Sequence, residues 1–377
     1  MLNEKLLKWQ SHLGADRSVN SSTGMPIVLG TDRGLIRGEN QDRVAVMRVN
    51  SMAGSNSPFV VIALVDGMGG MVDGNECAIK TVASFLNANI RFRHEKPEER
   101  LRFAAEVANE FVFKFSRGKG GATLSALLVT ADGRAVTLNV GDSRIYASLG
   151  TGDTAVVKRL TVDDSLEEIV GGSGKELLQF IGMGDGLSPH IDEVPPHVQR
   201  LLLTSDGIHF VKNETLCEIL LNAKAEQDVI EELLDLAKRR GSPDNATLSV
   251  VCLSKLRKSL LEIDETGIQF WDPFGALQVL WLKQEFVQHS IHANKLKADR
   301  HDQANGPAHG IADTHSSLSN NSDITPLGEL SLTKKPFVRS RNTKNSTKKK
   351  SSRSNKNKQD QDNQLSIEID SKIEIEK

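Results

Sequence analysis

The chain has little cysteine and no long apolar run. Its three cysteines, Cys77, Cys217 and Cys252, are widely spaced and form no Cys-x-x-Cys pair. This spacing argues against a disulfide scaffold or a zinc cluster and favours core positions in a reducing compartment. No stretch reaches the ~20 apolar residues that a transmembrane helix needs, and residues 1–18 lack the apolar stretch of a secretory signal. These absences predict a cytoplasmic protein with no transmembrane segment.

The charges of the chain are unevenly distributed, although the net charge is only −2 over 377 residues. Between Lys334 and Lys358 there are eleven Lys or Arg residues and no Asp or Glu, so the remainder of the chain is acidic. A basic run of this kind can bind nucleic acid or an acidic surface. Its only aromatic residue is Phe337, which offers no platform for stacking bases. We therefore favour a solvated tail over a nucleic-acid interface.

Composition divides the chain into four segments. We predict an N-terminal lead-in at 1–25, a folded domain at 26–256, an aromatic segment at 257–289 and a disordered, partly basic tail at 290–377. In the aromatic segment, Trp271 and Trp281 fit either a cap that packs on the folded domain or a docking helix that begins near Asp272. Alternating Ile and polar residues over 365–375 are typical of a strand, either alone or paired with a partner.

Hydrophobic periodicity predicts an α+β domain. Short apolar runs predict strands at 26–31, 43–49, 59–65, 123–130, 134–140, 144–149, 155–160, 200–204 and 247–253. A period near 3.6 predicts helices at 74–93, 97–117, 213–223 and 226–240, with a further short helix in the lead-in. Two long helices between strands, followed by closely spaced strands, favour a four-layer α-β-β-α sandwich of two antiparallel sheets flanked by helices.

Three of the predicted strands end in an aspartate beside a glycine. The pairs are Asp66-Gly67, Gly141-Asp142 and Asp206-Gly207. Any one such pair alone is typical of an ordinary turn. Repeated at the ends of neighbouring strands, they would gather carboxylates that lose water and repel one another. A hard divalent cation prefers oxygen ligands and relieves that repulsion, so the pattern predicts a carboxylate metal centre.

These aspartates belong to an ordered set of motifs. In chain order the motifs are Gly34-Leu35-Ile36-Arg37-Gly38-Glu39-Asn40-Gln41-Asp42, Asp66-Gly67-Met68-Gly69-Gly70, Gly121-Ala122-Thr123, Gly141-Asp142-Ser143-Arg144, Ser205-Asp206-Gly207 and Asp244-Asn245-Ala246-Thr247. In this order and spacing the set resembles the metal-dependent protein phosphatases of type 2C, the PPM family, over roughly residues 25–254. Met68 occupies a position where eukaryotic members often carry a histidine, and it matches the bacterial branch of the family.

The resemblance implies an active site with two Mn²⁺ or Mg²⁺ ions. Asp66 would bridge the two ions, and the Gly67 carbonyl would add a ligand to one of them. Asp206 and Asp244 would complete the other site. Asp42 would support the cluster through water that a metal ion holds.

The same resemblance assigns roles around the two ions. Asp142 matches the acid that helps to hold a third, weaker ion in bacterial members, and a water at that ion is the expected proton donor because Met68 cannot donate one. Arg37 matches the arginine that grips the substrate phosphate. Thr123 and Ser143 match motif positions with a structural role.

The chemistry of a phosphate monoester is consistent with these roles. The dianion is repelled by bare carboxylates, whereas two metal ions attract it and lower the pKa of a water to give hydroxide. The planar guanidinium of Arg37 stays cationic and can donate two hydrogen bonds to a phosphate. The chain has neither the Cys-x5-Arg loop nor the Asp-x-Asp-x-(Thr/Val) motif of covalent phosphatases. Direct attack of a dimetal-bound hydroxide is therefore expected.

The sequence thus predicts a monomeric protein-serine/threonine phosphatase, a hydrolase that acts on phosphoprotein substrates and is paired with a Ser/Thr kinase. Two alternatives stay open. One is a partner-switching phosphatase with a single regulatory substrate, and the other is a silent module that binds phosphoproteins, which the intact acidic set argues against. The family's flap, between Asp142 and Asp206, is short in this chain, and His209 is interpreted as a packed or surface histidine.

Overall fold

The structure is a computed structural model that describes residues 2–12, 14–21, 24–50, 58–68, 73–171, 176–261, 267–281 and 364–369. These residues all lie in one of two units defined by contacts along the chain, the unit formed by Met1–Leu282 and Asp362–Lys377. Among the described helices, none combines the length and apolar character that crossing a bilayer requires.

The described residues contain seven α-helices and fourteen strands. The helices are α1 (Leu2–Gln10), α2 (Gly74–Arg91), α3 (Pro97–Ser116), α4 (Leu166–Val170), α5 (Asn213–Asn222), α6 (Glu226–Arg239) and α7 (Leu253–Ser259). The strands are β1 (Arg17–Ser21), β2 (Ile27–Asp32), β3 (Arg43–Val49), β4 (Phe59–Val65), β5 (Leu124–Thr130), β6 (Ala135–Val140), β7 (Arg144–Leu149), β8 (Val156–Arg159), β9 (His190–Glu193), β10 (Val198–Thr204), β11 (Ala246–Cys252), β12 (Gly267–Asp272), β13 (Gly275–Trp281) and β14 (Gln364–Ile369). Short 3-10 helices span Gly152–Thr154 and Asp206–Phe210.

The strands form two sheets that pack face to face. Sheet 1 has the order β1-β2-β11-β10-β7-β8, and sheet 2 has the order β14-β13-β12-β3-β4-β5-β6-β9. Neighbouring strands are antiparallel except β13 and β14, which are parallel. Along β4, Val61 and Ala63 pack with α2 and α3, whereas the alternate residues Ile62 and Leu64 pack in the core between the sheets. Both faces of this strand are buried, which explains its unbroken apolar run.

Helices α5 and α6 cover the outer face of sheet 1. Ile230 and Leu234 of α6 pack with Leu202 and Leu248 of the sheet. A Cβ at Gly30 in β2 would lie 2.3 Å from Ile230 Cγ2, so a glycine here lets the helix approach the strand. The layers therefore run from α2 and α3, through the two sheets, to α5 and α6, and the predicted four-layer α-β-β-α sandwich is confirmed.

The apolar runs located the central elements well. The strands predicted at 43–49, 59–65 and 144–149 coincide with β3, β4 and β7, and every other predicted strand and long helix agrees with its observed bounds within two residues. The prediction missed β1, β9, α4 and α7. These elements are short, and the strands β1 and β9 are largely polar, so they carry little periodic signal.

The helix predicted to begin near Asp272 is wrong. Residues 267–281 form the antiparallel hairpin β12–β13, hereafter the C-terminal hairpin, and β12 pairs with β3 at the edge of sheet 2. Phe270 and Trp271 are 0% and 1% exposed. Because both faces of β12 are buried, its apolar residues do not alternate with polar ones, and periodicity alone does not separate such a strand from a buried helix.

The remaining predicted segments, at the C-terminal end of the chain, are described only in part. Of the two interpretations of the aromatic segment, packing on the folded domain agrees with the burial of β12, while the domain boundaries at 25, 256 and 289 stay predictions. A strand is observed at β14, which overlaps the alternating stretch 365–375, and it pairs with β13 of the same chain rather than standing alone or pairing with a partner. The rest of the tail at 290–377, with its basic run, lies outside the described residues.

Candidate metal centre

Antiparallel pairing brings the predicted aspartates to one edge of the sandwich. In sheet 2, Arg43 at the start of β3 pairs with Val65 at the end of β4, so the preceding Asp42 and the following Asp66 are neighbours. In sheet 1, Thr204 of β10 pairs with Leu248 of β11, which places Asp206 beside the loop that carries Asp244. Strand ends and strand starts alternate along such an edge.

Five aspartates influence one another's charge at this edge. Burial, and then the negative charges of Asp42, Asp206, Asp142 and Asp244, raise the pKa of the Asp66 carboxyl well above its usual range. All four of these neighbours, like Asp66 itself, were predicted site residues, and each lies near enough to Asp66 for its charge to raise the pKa of that carboxyl. A cluster of like charges in a buried position is unstable unless protons or cations neutralise it.

The backbone of Asp66 is held by Thr123. The Asp66 N–H donates to Thr123 Oγ1 at 3.0 Å, and the Thr123 N–H donates to the Asp66 carbonyl at 2.9 Å. Thr123 Oγ1 also lies 2.9 Å from Ser143 Oγ, and both hydroxyl side chains are buried. Thr123 and Ser143 thus have the structural role expected from their motif positions.

The glycines of two motifs allow loops to pack closely. A Cβ at Gly67 would lie 2.4 Å from the Gly74 carbonyl oxygen and 2.9 Å from that of Gln41. A Cβ at Gly207 would lie 1.9 Å from the carbonyl oxygen of Asn245. These positions need glycine because backbones approach there. The close approach holds Asp66 and Asp206 against the loops of Asp42 and Asp244.

Asp42 is buried behind the other carboxylates, with 3% of its surface exposed. Ser205 Oγ donates to Asp42 Oδ2 at 2.7 Å and accepts the Thr247 N–H at 2.9 Å. Asp42 Oδ1 is also buried and has no hydrogen-bond partner among the described residues. Burial raises the pKa of the Asp42 carboxyl to about 6. An oxygen left without a donor in such a place is suited to a water or a cation.

Arg37 brings a positive charge to the cluster. Its Nη2 donates to Asp244 Oδ2 at 2.7 Å. This hydrogen bond, reinforced by the charges of Asp244, Asp206 and Asp66, raises the pKa of Arg37. The side chain of Arg37 is 40% exposed, so its guanidinium remains accessible from solvent.

Asn245 joins the loop of Arg37 to the loop of Asp244. Its Nδ2 donates to the carbonyls of Arg33 and Glu39 at 2.8 and 3.0 Å, and its Oδ1 accepts the Gln41 N–H at 2.8 Å. We assigned no role to Asn245 from sequence. Its place directly after Asp244 in the motif is the signal that could have indicated one.

A cavity of about 250 Å³ opens beside Asp142 and Asp206. Its lining residues are Asp142, Arg144, Asp163, Ser165, Glu167, Asp206, His209 and Phe210. Arg144 holds the flap segment through two hydrogen bonds to Asp163 Oδ2, from Nε at 3.0 Å and from Nη2 at 2.6 Å. His209 borders this cavity with Nε2 3.3 Å from Thr204 Oγ1. The flap therefore forms one wall of a recess next to the aspartates.

The side chains of the cluster fit a divalent cation in kind. Carboxylate oxygens are preferred ligands of Mn²⁺ and Mg²⁺, and the repulsion that raises the pKa of Asp66 and the unbonded Oδ1 of Asp42 both favour added positive charge. Across the described ranges, no three His, Cys, Asp or Glu side chains already surround a single cation position. Arg37 instead engages Asp244 in this arrangement.

Comparisons with known proteins agree with this picture. No family model matches the chain. The putative protein phosphatase 2C-type of Streptococcus pyogenes serotype M6 is 25% identical over 244 residues, which covers 60% of this chain and 97% of the relative. The serine/threonine protein phosphatase PstP of Mycobacterium tuberculosis is 27% identical over 239 residues, which covers 58% of this chain and 43% of PstP. The chain thus matches less than half the length of PstP.

The fold is shared with a solved structure. A bacterial serine phosphatase is 23% identical, with a TM-score of 0.52 over 61% of this chain and 98% of that chain. The catalytic domain of PstP, in complex with two manganese ions, is 25% identical, with a TM-score of 0.48 over 62% of this chain and 97% of that chain. The chain is thus similar in sequence to curated type 2C and serine/threonine protein phosphatases, and it shares its fold with a bacterial serine phosphatase.

Proposed function

We propose that the chain is a Mn²⁺- or Mg²⁺-dependent phosphatase that hydrolyses phosphoserine and phosphothreonine esters on proteins. The observation that carries this proposal is the grouping of four aspartates from separate stretches around a fifth, the half-buried Asp66, whose pKa burial and their charges raise. The carboxylates of such a group repel one another and also repel a phosphate dianion. Divalent cations remove both kinds of repulsion, so the same residues become a binding site for phosphate once cations are present.

The proposed metal ligands are Asp66 and its neighbours. Asp66 and the Gly67 carbonyl follow β4, Asp206 follows β10, and Asp244 precedes β11; together they would hold two ions. Asp42 is more deeply buried than these three aspartates, and its unbonded Oδ1 would orient a water bound at the metal site. When bound, two such ions lower the pKa of a water and offset the charge of the phosphoryl group.

Asp142 and Arg37 serve the two sides of the proposed site. Asp142 lines the cavity beside the flap, where it would hold a third, more weakly bound ion. Arg37 would bind and orient the substrate phosphate, because its guanidinium is accessible and remains cationic. A phosphate that enters would compete with Asp244 for the donors of Arg37.

The proposal is tested by turnover of the full-length protein on a phosphothreonine peptide and on p-nitrophenyl phosphate. We expect hydrolysis with added Mn²⁺ and none with a chelator, while circular dichroism shows the same folded state in both conditions. A phosphotyrosine peptide serves as the control for substrate class and should be hydrolysed more slowly. Folded protein that turns over none of these substrates with Mn²⁺ would contradict the proposal and favour a module that only binds phosphoproteins.

The breadth of substrates is a separate question with its own measurement. A general phosphatase should leave many phosphoserine and phosphothreonine sites elevated when its gene is deleted. A partner-switching phosphatase should change the phosphorylation of one dominant protein. Quantitative phosphoproteomics of a deletion strain distinguishes these outcomes.

A further inference from the structure

Arg43 lies where three parts of the chain meet. Its Nη1 donates to the carbonyls of Asn40 and Asp42 at 2.9 and 2.7 Å, and its Nη2 donates to Asn75 Oδ1 at 2.5 Å. Its Nε donates to the Gln10 carbonyl at 3.3 Å. A single planar guanidinium therefore bonds to all three parts at once, which a lysine ammonium on a flexible stem does not reproduce.

Two of the three parts belong to the metal centre. The first is the turn that ends at Asp42, where the Asp42 N–H also donates to Asn40 Oδ1 at 3.0 Å. The second is the start of α2, where Asn75 follows Gly74, the residue whose carbonyl lies against Gly67. Arg43 thus sets the spacing between the loop of Asp42 and the loop that follows Asp66.

The third part is the C-terminal end of α1. Carbonyl groups in the last turn of a helix lack partners within the helix and carry partial negative charge, so the Gln10 carbonyl is a natural acceptor for a guanidinium. The same residue also reaches the C-terminal hairpin, because Gln10 Nε2 lies 3.5 Å from Asp272 Oδ2. The rings of Trp9 and Phe270 are 6.3 Å apart and tilted. Neither α1 nor the hairpin contributes to the six motifs.

We propose, on the basis of the proposed function, that Arg43 is a positioning residue through which α1 and the C-terminal hairpin set the affinity of the site for divalent cations. Burial opposes the charge on Arg43 and lowers its pKa, while the nearby charges of Asp42, Asp272, Glu39 and Glu76 favour it. The fold thus holds a half-buried cation beside the aspartates. Its hydrogen bonds go to the backbone and to Asn75, so it organises the loops and leaves the carboxylate oxygens to the metal ions.

Mn²⁺ binding to the full-length protein tests the proposal without requiring turnover. Free Mn²⁺ is measured by electron paramagnetic resonance during titration of wild type, Arg43→Ala and Arg43→Lys. Loss of residues that orient metal ligands typically weakens metal binding about 10- to 100-fold, and we expect a fall of that size for Arg43→Ala. Arg43→Lys should lie between this variant and wild type. At saturating Mn²⁺, kcat of Arg43→Ala on p-nitrophenyl phosphate should stay within about threefold of wild type, because no group that touches the phosphate is lost.

Arg200 provides a matched control. It donates to the carbonyls of Leu220 and Ala223 at 3.1 and 2.9 Å, at the C-terminal end of α5. Arg200→Ala also removes a guanidinium that bonds to the end of a helix, but not one at the aspartates. It should lower the thermal stability while the Mn²⁺ affinity stays at the wild-type value.

Substitutions at Asn75 keep the proposal testable if Arg43→Ala does not fold. Asn75→Ala removes the acceptor of Nη2 and should weaken Mn²⁺ binding about tenfold, whereas Asn75→Asp keeps an acceptor and should restore most of the affinity. Wild-type affinity in both Asn75→Ala and any folded Arg43→Ala would overturn the inference while the phosphatase assignment stands. Absence of Mn²⁺ binding by wild type itself would instead overturn the proposed function, and the inference with it.

Discussion

Two carboxyls, the half-buried Asp66 in the candidate metal centre and the buried Asp272 in the C-terminal hairpin, have different surroundings. Burial is the main cause of a raised pKa in both. Asp272 Oδ1 accepts the N–H groups of Phe274 and Gly275 at 2.8 and 3.0 Å, and His12 Nε2 lies 3.6 Å from Oδ2. Asp66 is instead surrounded by four other aspartates. The fold stabilises the charge of Asp272 with its own hydrogen-bond donors, whereas we expect bound cations to neutralise the charge of Asp66.

The largest expected effect comes from Asp66→Asn, which removes the charge at the middle of the cluster. We expect Mn²⁺-dependent turnover to fall to background, because the proposed bridging carboxylate is lost. The metal-free protein should be as stable as wild type or more so, since repulsion is relieved; each kcal/mol gained would raise the Tm by about 2–4 °C. Activity assays and thermal melts in chelator measure the two effects. Near-normal turnover would refute the assigned site.

Truncation tests whether the hairpin is part of the core. A chain that ends at Leu261 loses β12 and β13, including the buried Phe270 and Trp271. Loss of one buried aromatic side chain costs about 3–5 kcal/mol, against a total stability of about 5–15 kcal/mol for a typical domain. We expect this chain to be insoluble or unfolded by circular dichroism.

The matched truncation ends at Trp281 and keeps the hairpin. It should fold with a Tm close to that of the full chain and retain Mn²⁺-dependent turnover of p-nitrophenyl phosphate. If the chain that ends at Leu261 melts at the same temperature as this control, the hairpin contributes nothing to the core and the contrast between the two regions fails.

A smaller effect is expected in the pH dependence of stability of the metal-free protein. Burial raises the pKa of Asp272 from 3.8 to about 6, so between these values the folded state holds a proton that the unfolded state has lost. Its contribution is therefore full below about pH 4 and is lost as the pH rises through about 6. A rise of this size corresponds to about 3 kcal/mol at most. Urea unfolding in chelator across this range should show stability falling with pH.

Asp272→Asn separates the hairpin from the metal centre in that measurement. The variant cannot ionise at this position, so its stability should change less between about pH 4 and about pH 7 than that of wild type. Asp42, whose pKa is also raised to about 6 by burial, should still contribute a residual slope of the same sign. An unchanged profile in Asp272→Asn would show that Asp272 does not titrate in the folded protein within this range.

The aspartates of the candidate site were more predictable from sequence than the residues that hold their loops in place. Asp66, Asp142 and Asp206 were found because an apolar run that stops at an Asp–Gly pair is a local signal, and the ordered motifs then indicated Asp42 and Asp244. Arg43 gave no such signal, since a single arginine at the start of a strand is usually solvated. Its role depends on acceptors at Gln10 and Asn75, which are distant in sequence.

The C-terminal hairpin shows that the secondary structure of a short apolar segment is also hard to predict from sequence. The residues around Trp271 were identified as an apolar segment, either a cap on the folded domain or a docking helix, but not as a strand. Their partner is β3, more than 200 residues earlier in the chain, and pairing with that edge decides that they form a strand. Short apolar segments carry too little periodicity to make this choice by themselves.

The sequence by itself determined which stretches are buried and where acidic side chains follow them, because burial patterns and Asp–Gly turns are properties of a few neighbouring residues. Only the tertiary structure decided which strand ends share an edge, and hence that four like charges gather around Asp66 and that α1 and the hairpin reach them through Arg43. Charge repulsion and hydrogen bonding act over a few ångströms in space, and the distance between residues along the chain does not reveal that proximity.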